Sequence, residues 1–337
     1  MPGLDACSRS ARSIAVLGAI VFDEIITHAG TRIESFGGII YNLAALNSLV
    51  GEECAILPFS NVGADRYDQV LGLIATMDRV RADGLRKAEG RLTHARLVYR
   101  DANYREEIVR FMMKPFTVDE LTGAFSADGI MVNFVNGTEL DLATLRAVRG
   151  RTGAPLYLDM HNIMVRFDKE GRKHFLDLRD WPDWVAPFDF VQMNEIECEK
   201  VLGIAPGKRE RYIEAAHRVV EAGPRAALVT MGPNGVALAH RNEGITYGAL
   251  IPAAPVRDFV DATGCGDTFS CGTFWNYLRT GNPVAAAMAG SLVGAINCEV
   301  RGIGKLDRAR DAAERLHEVS PELAEKVKAG WLGERLS

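Results

Sequence analysis

The sequence predicts an α/β domain with a mostly parallel central sheet and helices on both faces. Short apolar runs alternate with segments of helical periodicity along most of the 337 residues, and crossover helices between successive strands produce parallel sheets covered on both sides. The chain is 47% hydrophobic and 25% charged, which is typical of a globular protein with a buried core. No linker rich in Ser, Pro or Gly divides the sequence, so residues 1–337 are expected to form a single domain.

The predicted elements follow this alternation in order. The runs expected to form strands of the main sheet are residues 14–19, 54–59, 129–135, 155–159, 188–193, 227–231 and 235–240. The segments expected to form helices between them are residues 42–50, 67–77, 140–149, 195–202 and 209–222. From residue 264 onward the pattern is nearly all helix, and residues 306–336 are expected to form a pair of surface helices.

One stretch of the chain departs from the alternation. Residues 92–99 and 107–113 are strand-like runs joined by a polar turn at residues 100–105, with no helix between them. Together with residues 25–36 they could form a small antiparallel flap outside the main sheet. The simpler alternative is an edge hairpin.

Charge and cysteine content narrow the class of partner. Lys and Arg number 39 and Asp and Glu 44, for a net charge of −5, which provides neither a basic field for nucleic acid nor a polybasic membrane anchor. The most apolar run, residues 284–296, is shorter than the roughly 20 residues that a transmembrane helix needs, and residues 1–13 show no secretory signal. The cysteines lack metal-type spacing and are expected to be free thiols in the cytoplasm: Cys7, Cys54, Cys198, Cys265, Cys271 and Cys298. A small-molecule partner is therefore expected.

The segment with the strongest chemical signal is residues 261–269, with the sequence DATGCGDTF. Gly264 and Gly266 allow successive backbone amides to point into one concavity, and at the start of a helix such amides form an anion site. Asp267 beside that site can accept the proton of an attacking hydroxyl group. A helix N-cap with an acidic first turn is the simpler alternative, but it does not explain two glycines separated by one residue. The segment therefore predicts phosphoryl transfer.

Residues 261–269 also resemble the C-terminal signature of the PfkB carbohydrate kinase family, Asp-x-Thr-Gly-x-Gly-Asp-x-Phe. Further segments resemble other motifs of the family, in the family's order: GGIIYNLA at residues 37–44, VGAD at 62–65, NEIE at 194–197 and VTMGPNGV at 229–236. The resemblance implies a ribokinase-like three-layer α/β/α domain with a small β-lid from about residues 25–38 and 92–114. It also implies ATP-dependent phosphoryl transfer to a hydroxyl of a sugar or sugar-like molecule.

The resemblance assigns roles within the catalytic segment. Asp267 would be the catalytic base, and the amides of Gly264, Cys265 and Gly266 would form the anion hole for the transferred phosphoryl group. The family usually has Ala where this chain has Cys265. Because a thiol at a helix N-terminus can have a lowered pKa, we expect Cys265 to react with thiol reagents and ATP to protect it.

On the nucleotide side, the resemblance implies binding of ATP by the turn that contains Thr230, Gly232 and Gly235. It also places Asn297 in the adenine pocket, although this residue could equally be a polar residue at a helix end.

The resemblance implies two cation sites. Asn194 and Glu197 would organise Mg²⁺ largely through waters, while the same pair fits a helix capping box, and both interpretations can hold together. Asp261 would help to bind a monovalent cation such as K⁺, or would only cap the glycine-rich turn.

On the acceptor side, the resemblance implies that Asp23 and Asn42 bind sugar hydroxyls and that Gly37 and Gly38 form the hinge of the lid. Lids in this family often pair with a second copy, so a homodimer is expected. Residues 158–162, LDMHN, differ from the Asp-x-Asn-x-Arg of many sugar kinases. The usual fructokinase and ketodeoxygluconate kinase substrates are therefore not implied.

Two alternatives stay open at this point. The first is a nucleoside kinase of the same fold, whose base would need an apolar shelf from aromatic residues such as Tyr41, Phe111, Phe116 and Phe134. The second is a non-catalytic sugar or nucleotide sensor, against which the intact Asp267 argues.

Overall fold

The computed structural model describes residues 13–27, 29–99, 105–205, 207–304 and 306–336. Within them, one large sheet runs through the molecule. Its strands are β1 (Ser13–Gly18), β4 (Ala55–Gly63), β5 (Leu85–Ala88), β8 (Gly129–Asn133), β9 (Leu156–Asp159), β12 (Phe190–Asn194), β13 (Ala226–Thr230), β14 (Val236–Asn242), β15 (Ile245–Ile251) and β16 (Glu334–Arg335). Their spatial order is β16-β15-β14-β13-β12-β9-β8-β1-β4-β5.

The direction of the strands places a crevice beside β1. From β5 through β13 in this order neighbouring strands are parallel, whereas β14, β15 and β16 are antiparallel additions at one edge. The chain passes from β1 to β4 on one side and returns to β8 on the other. Ligands of parallel sheets bind at such a reversal, outside the carboxyl ends of the strands.

Helices cover both faces of this sheet. They are α1 (Ile40–Leu49), α2 (Tyr67–Ile74), α3 (Leu142–Arg151), α4 (Trp181–Val185), α5 (Glu195–Leu202), α6 (Glu210–Glu221), α7 (Cys265–Thr280), α8 (Pro283–Asn297) and α9 (Pro321–Lys328). Alternate residues of β1 enter two separate cores: Ile14 and Val16 pack with residues of α1, α7 and α8, whereas Ala15 and Leu17 pack with residues of α3, α5 and α6. The predicted three-layer α/β fold is therefore confirmed.

A second sheet, separate from the central one, begins directly after β1. Its four strands are β2 (Ile20–Ile26), β3 (Arg32–Gly38), β6 (His94–Tyr99) and β7 (Arg105–Arg110), in the order β3-β2-β6-β7. A hairpin of β10 (Val165–Phe167) and β11 (Lys173–Phe175) continues beyond β7, where the Val109 amide donates to the Gly171 carbonyl at 2.9 Å. We call β2, β3, β6 and β7 the lid sheet.

The structure corrects several element predictions. Residues 25–36 contain parts of two strands, β2 and β3, separated by a turn in which Gly30 has a φ of +79°. Residues 306–336 do not form a helix pair, because only α9 is helical over more than a single turn there and Gly330 and Gly333 have positive φ angles beyond it. The strands β5, β10, β11, β15 and β16 were not predicted. Cys7 and most of the predicted turn at residues 100–105 lie outside the described residues.

No helix in the described part of the chain is long and apolar enough to span a bilayer.

Candidate active site

A cavity of about 600 Å³ lies between the lid sheet and the catalytic segment predicted from the sequence. The inner face of the lid sheet contributes Asp23 and Glu107, and the segment around α7 contributes Asp261, Gly264 and Asp267. The cavity therefore contains both ends of the predicted reaction, the side chain expected to bind the acceptor and the base expected to act on it.

The start of α7 has the backbone that an anion site requires. Gly264 caps the helix with a φ of +77°, and a β-carbon at this position would overlap the ring of Tyr41, so only glycine fits. Within the described chain the amides of Gly264 and Gly266 donate to no protein acceptor, whereas the amide of Cys265 donates to the Ala262 carbonyl at 3.2 Å. Two of the three amides predicted for the anion hole are thus open. At Gly266 a β-carbon would come no closer than 3.8 Å to a protein atom, so packing does not require that glycine.

Asp267 lies in the first turn of α7 and has the properties of a base near neutral pH. Burial raises the pKa of its carboxyl group to about 6, although a hydrogen bond from Asn133 Nδ2 to Asp267 Oδ1, 2.6 Å long, favours the ionised form. A carboxylate with such a pKa is mostly ionised at pH 7 and is a stronger base than an ordinary aspartate.

An amide network positions this carboxylate. Asn42, predicted to contact the sugar, is buried beneath α7, where its Nδ2 donates to the Asp267 carbonyl at 3.3 Å and to Ser270 Oγ at 3.4 Å. Its Oδ1 accepts a hydrogen bond from Asn133 at 3.2 Å. Asn42 therefore supports the segment that contains Asp267, the predicted base, rather than lining the cavity. Asn133 was missed by the sequence analysis, although a polar residue at the end of the apolar strand β8 is a recognisable sign of a site at that edge.

Three carboxyl groups, of Asp159, Glu197 and Asp267, lie near one another at this edge of the sheet. Burial, followed by the negative charges of Asp267 and Glu197, raises the pKa of Asp159 well above its usual range. Burial likewise raises the pKa of Glu197 to about 8. Gln192 joins the group to the anion site, because its Nε2 donates to Asp159 Oδ2 at 3.2 Å and to the Gly266 carbonyl at 3.1 Å.

This concentration of acidic oxygens fits a hard divalent cation. Among the described residues, no three His, Cys, Asp or Glu side chains are close enough to hold a metal ion directly. The donor set therefore fits an ion such as Mg²⁺ only where waters complete its coordination, which is how the resemblance describes this metal.

The capping-box interpretation of Asn194 and Glu197 is confirmed. Asn194 Oδ1 accepts from the Glu197 amide at 2.9 Å, and Glu197 Oε2 accepts from the Asn194 amide at 2.8 Å. Thr230 is the register partner of Asn194 in the neighbouring strand β13. The residues predicted to bind the metal and the nucleotide thus meet at the carboxyl ends of adjacent strands.

The remaining nucleotide-side residues shape turns. Gly232 and Gly235 have φ angles of +51° and +90°, and a β-carbon at Gly235 would overlap the Ile251 carbonyl. Asn297 is buried at the end of α8, and its Nδ2 donates to the Thr263 carbonyl at 2.9 Å. Asn297 therefore supports the glycine-rich loop.

The other predicted cation ligand, Asp261, has protein partners of its own. Its Oδ1 accepts from the Thr263 amide at 3.0 Å and from Thr263 Oγ1 at 2.8 Å. Asp261 therefore caps the glycine-rich turn, which was one of the two roles predicted for it.

Two thiols meet at the anion site. Cys265 Sγ lies 2.7 Å from Cys298 Sγ. The hydrogen bond to Cys298, together with burial, raises the pKa of Cys265, and the same hydrogen bond lowers the pKa of Cys298. The predicted lowering of the Cys265 pKa is wrong, because the contact with Cys298 and burial raise it instead.

On the acceptor side, the lid glycines have steric roles. A β-carbon at Gly37 would overlap the carboxylate of Asp23, and one at Gly38, where φ is +64°, would overlap the Ala19 carbonyl. Gly37 therefore allows the Asp23 carboxylate to lie against the backbone of β3 at the edge of the cavity, and Gly38 allows the close approach of the Ala19 carbonyl.

The aromatic residues group differently from the predicted shelf. Tyr41 lines the cavity as expected, whereas Phe116 and Phe134 are buried in the core and Phe111 lies on the outer face of the lid sheet. Phe167 and Phe259 line the cavity instead. His161, which has a φ of +37°, and Glu107 also line it, and no motif identified their roles.

The chain is similar to known proteins in both sequence and fold. Residues 161–309 match the model of the pfkB family carbohydrate kinases. Ribokinase from Arabidopsis thaliana is 29% identical over 131 residues, which are 39% of this chain and 30% of that protein. The match thus spans less than a third of the relative's length.

Solved structures share the fold over most of the chain. Ribokinase from Arabidopsis thaliana complexed with ribose and ATP is 17% identical, with a TM-score of 0.69 over 91% of this chain and 98% of that one. A pyrophosphate-dependent kinase in the ribokinase family, complexed with a pyrophosphate analogue and myo-inositol, is 18% identical, with a TM-score of 0.69 over 88% and 98% of the two chains. The family-model match over residues 161–309 confirms the resemblance to the PfkB family, and the solved structures confirm the ribokinase-like fold.

Proposed function

We propose that this protein is an ATP-dependent kinase that transfers the γ-phosphoryl group to a hydroxyl of a sugar or sugar-like molecule. The observation that carries the proposal is the placement of Asp267, with a pKa of about 6, beside the open amides of Gly264 and Gly266 in a cavity that also contains Asp23. A base, an anion site and a hydroxyl-binding carboxylate are the components of phosphoryl transfer to an alcohol.

Each of these groups has one task in the proposed mechanism. Asp23 accepts hydrogen bonds from hydroxyls of the acceptor and orients it. Asp267 accepts a hydrogen bond from the attacking hydroxyl and takes its proton as the new P–O bond forms and the bond between the γ-phosphorus and the oxygen of the leaving ADP breaks. The amides of Gly264 and Gly266, at the positive end of the α7 dipole, stabilise the charge on the transferred phosphoryl oxygens.

The metal and the lid complete the site. Mg²⁺, when bound, supplies charge neutralisation on the phosphates, and Asn194, Glu197 and Asp159 would hold its waters. The lid sheet would exclude bulk water, which would otherwise compete with the acceptor for the phosphoryl group.

The test is donor consumption by the purified protein across pentoses, hexoses, polyols, sugar acids, sugar phosphates and nucleosides. Mg²⁺ and K⁺ are present, and ATP and pyrophosphate are compared as donors. We expect turnover with ATP that Asp267→Asn abolishes and that Asp78→Asn, a change of an exposed carboxylate that does not line the cavity, leaves intact. Substantial turnover by Asp267→Asn would refute the assignment of the base. Tight binding of a panel compound without turnover would favour the sensor.

A nucleoside is the second candidate acceptor. Tyr41, Phe167 and Phe259 line the same cavity as Asp23, and aromatic faces can stack on a base while the carboxylate binds the ribose hydroxyls. Turnover of a nucleoside and not of free sugars would select this alternative.

The homodimer, the cytoplasmic location and the requirement for K⁺ stay predictions.

A further inference from the structure

A glutamine lies in the middle of a strand whose other buried residues are apolar. Gln192 belongs to β12 together with Phe190, Val191 and Met193, and it is 3% exposed. Phe190, two residues earlier and on the same face of the strand, packs in the core with residues of α7 and α8. Burial of a polar side chain costs stability unless its hydrogen bonds are satisfied. The glutamine therefore needs a reason beyond packing.

Hydrogen bonds hold both ends of the Gln192 amide group. Its Oε1 accepts from the Tyr157 hydroxyl at 2.6 Å. Its Nε2 donates to Asp159 Oδ2 at 3.2 Å and to the Gly266 carbonyl at 3.1 Å. Because a carbonyl oxygen accepts and never donates, only the nitrogen can face Gly266. The orientation of this amide group is therefore determined, and its donor is directed at the first turn of α7.

Gly266 lies in that first turn, at the proposed anion site. The first amides of a helix have no helical partners, and Gly264 and Gly266 have no side chains that could hold the turn in place. The carbonyl and the amide of one trans peptide unit point in opposite directions. A donor that holds the Gly266 carbonyl therefore also fixes the direction of the next amide, that of Asp267, and with it the backbone of the proposed base.

Two other side-chain amides hold the same loop from other directions. Asn297 of α8 donates to the Thr263 carbonyl at 2.9 Å, and Asn42 of α1 donates to the Asp267 carbonyl at 3.3 Å. With Gln192 of β12, three elements that are distant in sequence thus hold three carbonyls of the loop. An anion site stabilises developing charge best when its donors are already fixed in place. This loop has the anchors that such a site needs.

We propose that Gln192 is a positioning residue for phosphoryl transfer, which holds the first turn of α7 in the geometry that the anion site requires. The inference rests on the proposed kinase function. Gln192 is not among the residues that line the cavity, so it acts through the backbone of Gly266 and Asp267 and touches neither substrate. Its loss should therefore lower kcat and leave the KM values for ATP and the acceptor unchanged.

The test separates the position of the loop from the stability of the fold. Gln192→Met is similar in length and has no hydrogen-bonding group in its place, so it leaves the Tyr157 hydroxyl without its acceptor. The double variant Tyr157→Phe with Gln192→Met removes both members of that pair, which costs far less stability than removing one. Asn276→Leu, a change of another buried amide further along α7, is the matched control. The readouts are kcat, both KM values and the melting temperature.

We expect Gln192→Met to lower kcat at least about tenfold and to change each KM by less than about twofold, since a small displacement of catalytic groups has a large effect on rate. The double variant should regain most of the lost melting temperature while its kcat stays low. Asn276→Leu should lose melting temperature and keep the wild-type kcat.

Three results would overturn the inference. Recovery of kcat together with the melting temperature in the double variant would make Gln192 a structural residue. Full kcat of Gln192→Met at saturating Mg²⁺ would assign the effect to Asp159 and the metal. An unchanged kcat in folded Gln192→Met would exclude any role of Gln192 in catalysis.

Absence of turnover by the wild type would instead refute the proposed function. Calorimetry with sulfate, a tetrahedral anion that does not react, would then test the same loop. The Kd of sulfate should rise about tenfold in Gln192→Met and stay unchanged in Asn276→Leu, and equal values for the two variants would overturn the positioning role.

Discussion

Removal of the Asn133 amide should shift the pH dependence of catalysis. Asn133 Nδ2 donates a hydrogen bond of 2.6 Å to Asp267 Oδ1, and this bond favours the ionised carboxylate, which burial disfavours. In Asn133→Ala the burial remains while the compensating donor is lost. The pKa of Asp267 should therefore rise above about 6.

The size of the shift follows from the energy of a charged hydrogen bond. Such bonds contribute about 1.5–3 kcal/mol, and one pKa unit corresponds to about 1.4 kcal/mol, so the pKa of Asp267 should rise by about one to two units. With a pKa of about 7.5, roughly a quarter of the molecules would be ionised at pH 7, compared with about nine-tenths at a pKa of about 6. Because the base must be deprotonated, kcat/KM at pH 7 should fall about fourfold and recover near pH 9.

The assay is the pH profile of kcat/KM between pH 5 and 9 with the best acceptor. Asn61→Ala is the matched control, since this buried amide of β4 donates to the Lys114 carbonyl instead. The control should lose comparable stability and keep the acid limb of the wild type. An unshifted acid limb in Asn133→Ala, with the variant folded, would refute the assignment of Asp267 as the titrating base.

Three further outcomes are expected. Burial raises the pKa of Glu197 to about 8, so its contribution to stability is present below its unfolded pKa near 4 and is lost as the pH rises through about 8. Glu197→Gln should therefore raise the melting temperature at pH 9 by about 3–6 °C. An unchanged slope of melting temperature against pH in this variant would contradict the reasoning. Gly264→Ala should lower the free energy of unfolding in urea by at least 1–2 kcal/mol, which is about the cost of the left-handed backbone alone. Gly266→Ala should keep the wild-type urea midpoint, and its kcat should fall at least about tenfold because the added methyl group crowds the anion site. Equal urea midpoints for the two variants would contradict the steric argument. Iodoacetamide should modify Cys298 before Cys265, since the thiol with the lower pKa supplies the thiolate. Peptide mass spectrometry after timed labelling measures the order. Modification of Cys265 first would show that the proton between the two sulfur atoms lies on Cys298.

The sequence was most informative where one local pattern determines both backbone and chemistry. The run at residues 261–269 predicted that a helix begins after the glycine-rich turn with Asp267 beside its first amides, because a glycine-rich turn before a helix with an acidic first turn is a local property. The alternation of apolar runs likewise predicted the layers, since it determines which face of each strand is buried.

Contacts between distant segments could not be predicted in this way. Asn42 has the spacing of a family motif, yet only the packing of α1 under α7 shows that its amide bonds to Asn133 and the Asp267 carbonyl. The Cys265–Cys298 contact depends on the approach of α8 to the catalytic loop, and the sequence separation of 33 residues gives no sign of it. Glu107 is one acidic residue in a strand, and its inward direction follows from the register with Leu97.

The hydrogen bond from Asn42 to the Asp267 carbonyl joins residues 225 positions apart, and this separation has a consequence for folding. The segment that matches the family model, residues 161–309, contains Asp267, the proposed base, but none of β1, β8 and α1, and residues of β8 and α1 donate hydrogen bonds to Asp267. A ribosome would therefore complete α7, which contains Asp267, only after β1, α1 and β8, and a nascent chain that ends before α7 would lack the proposed base. Two fragments divided between β9 and β12 should be inactive singly and regain turnover only when mixed, so that activity would report reassembly of the whole sheet.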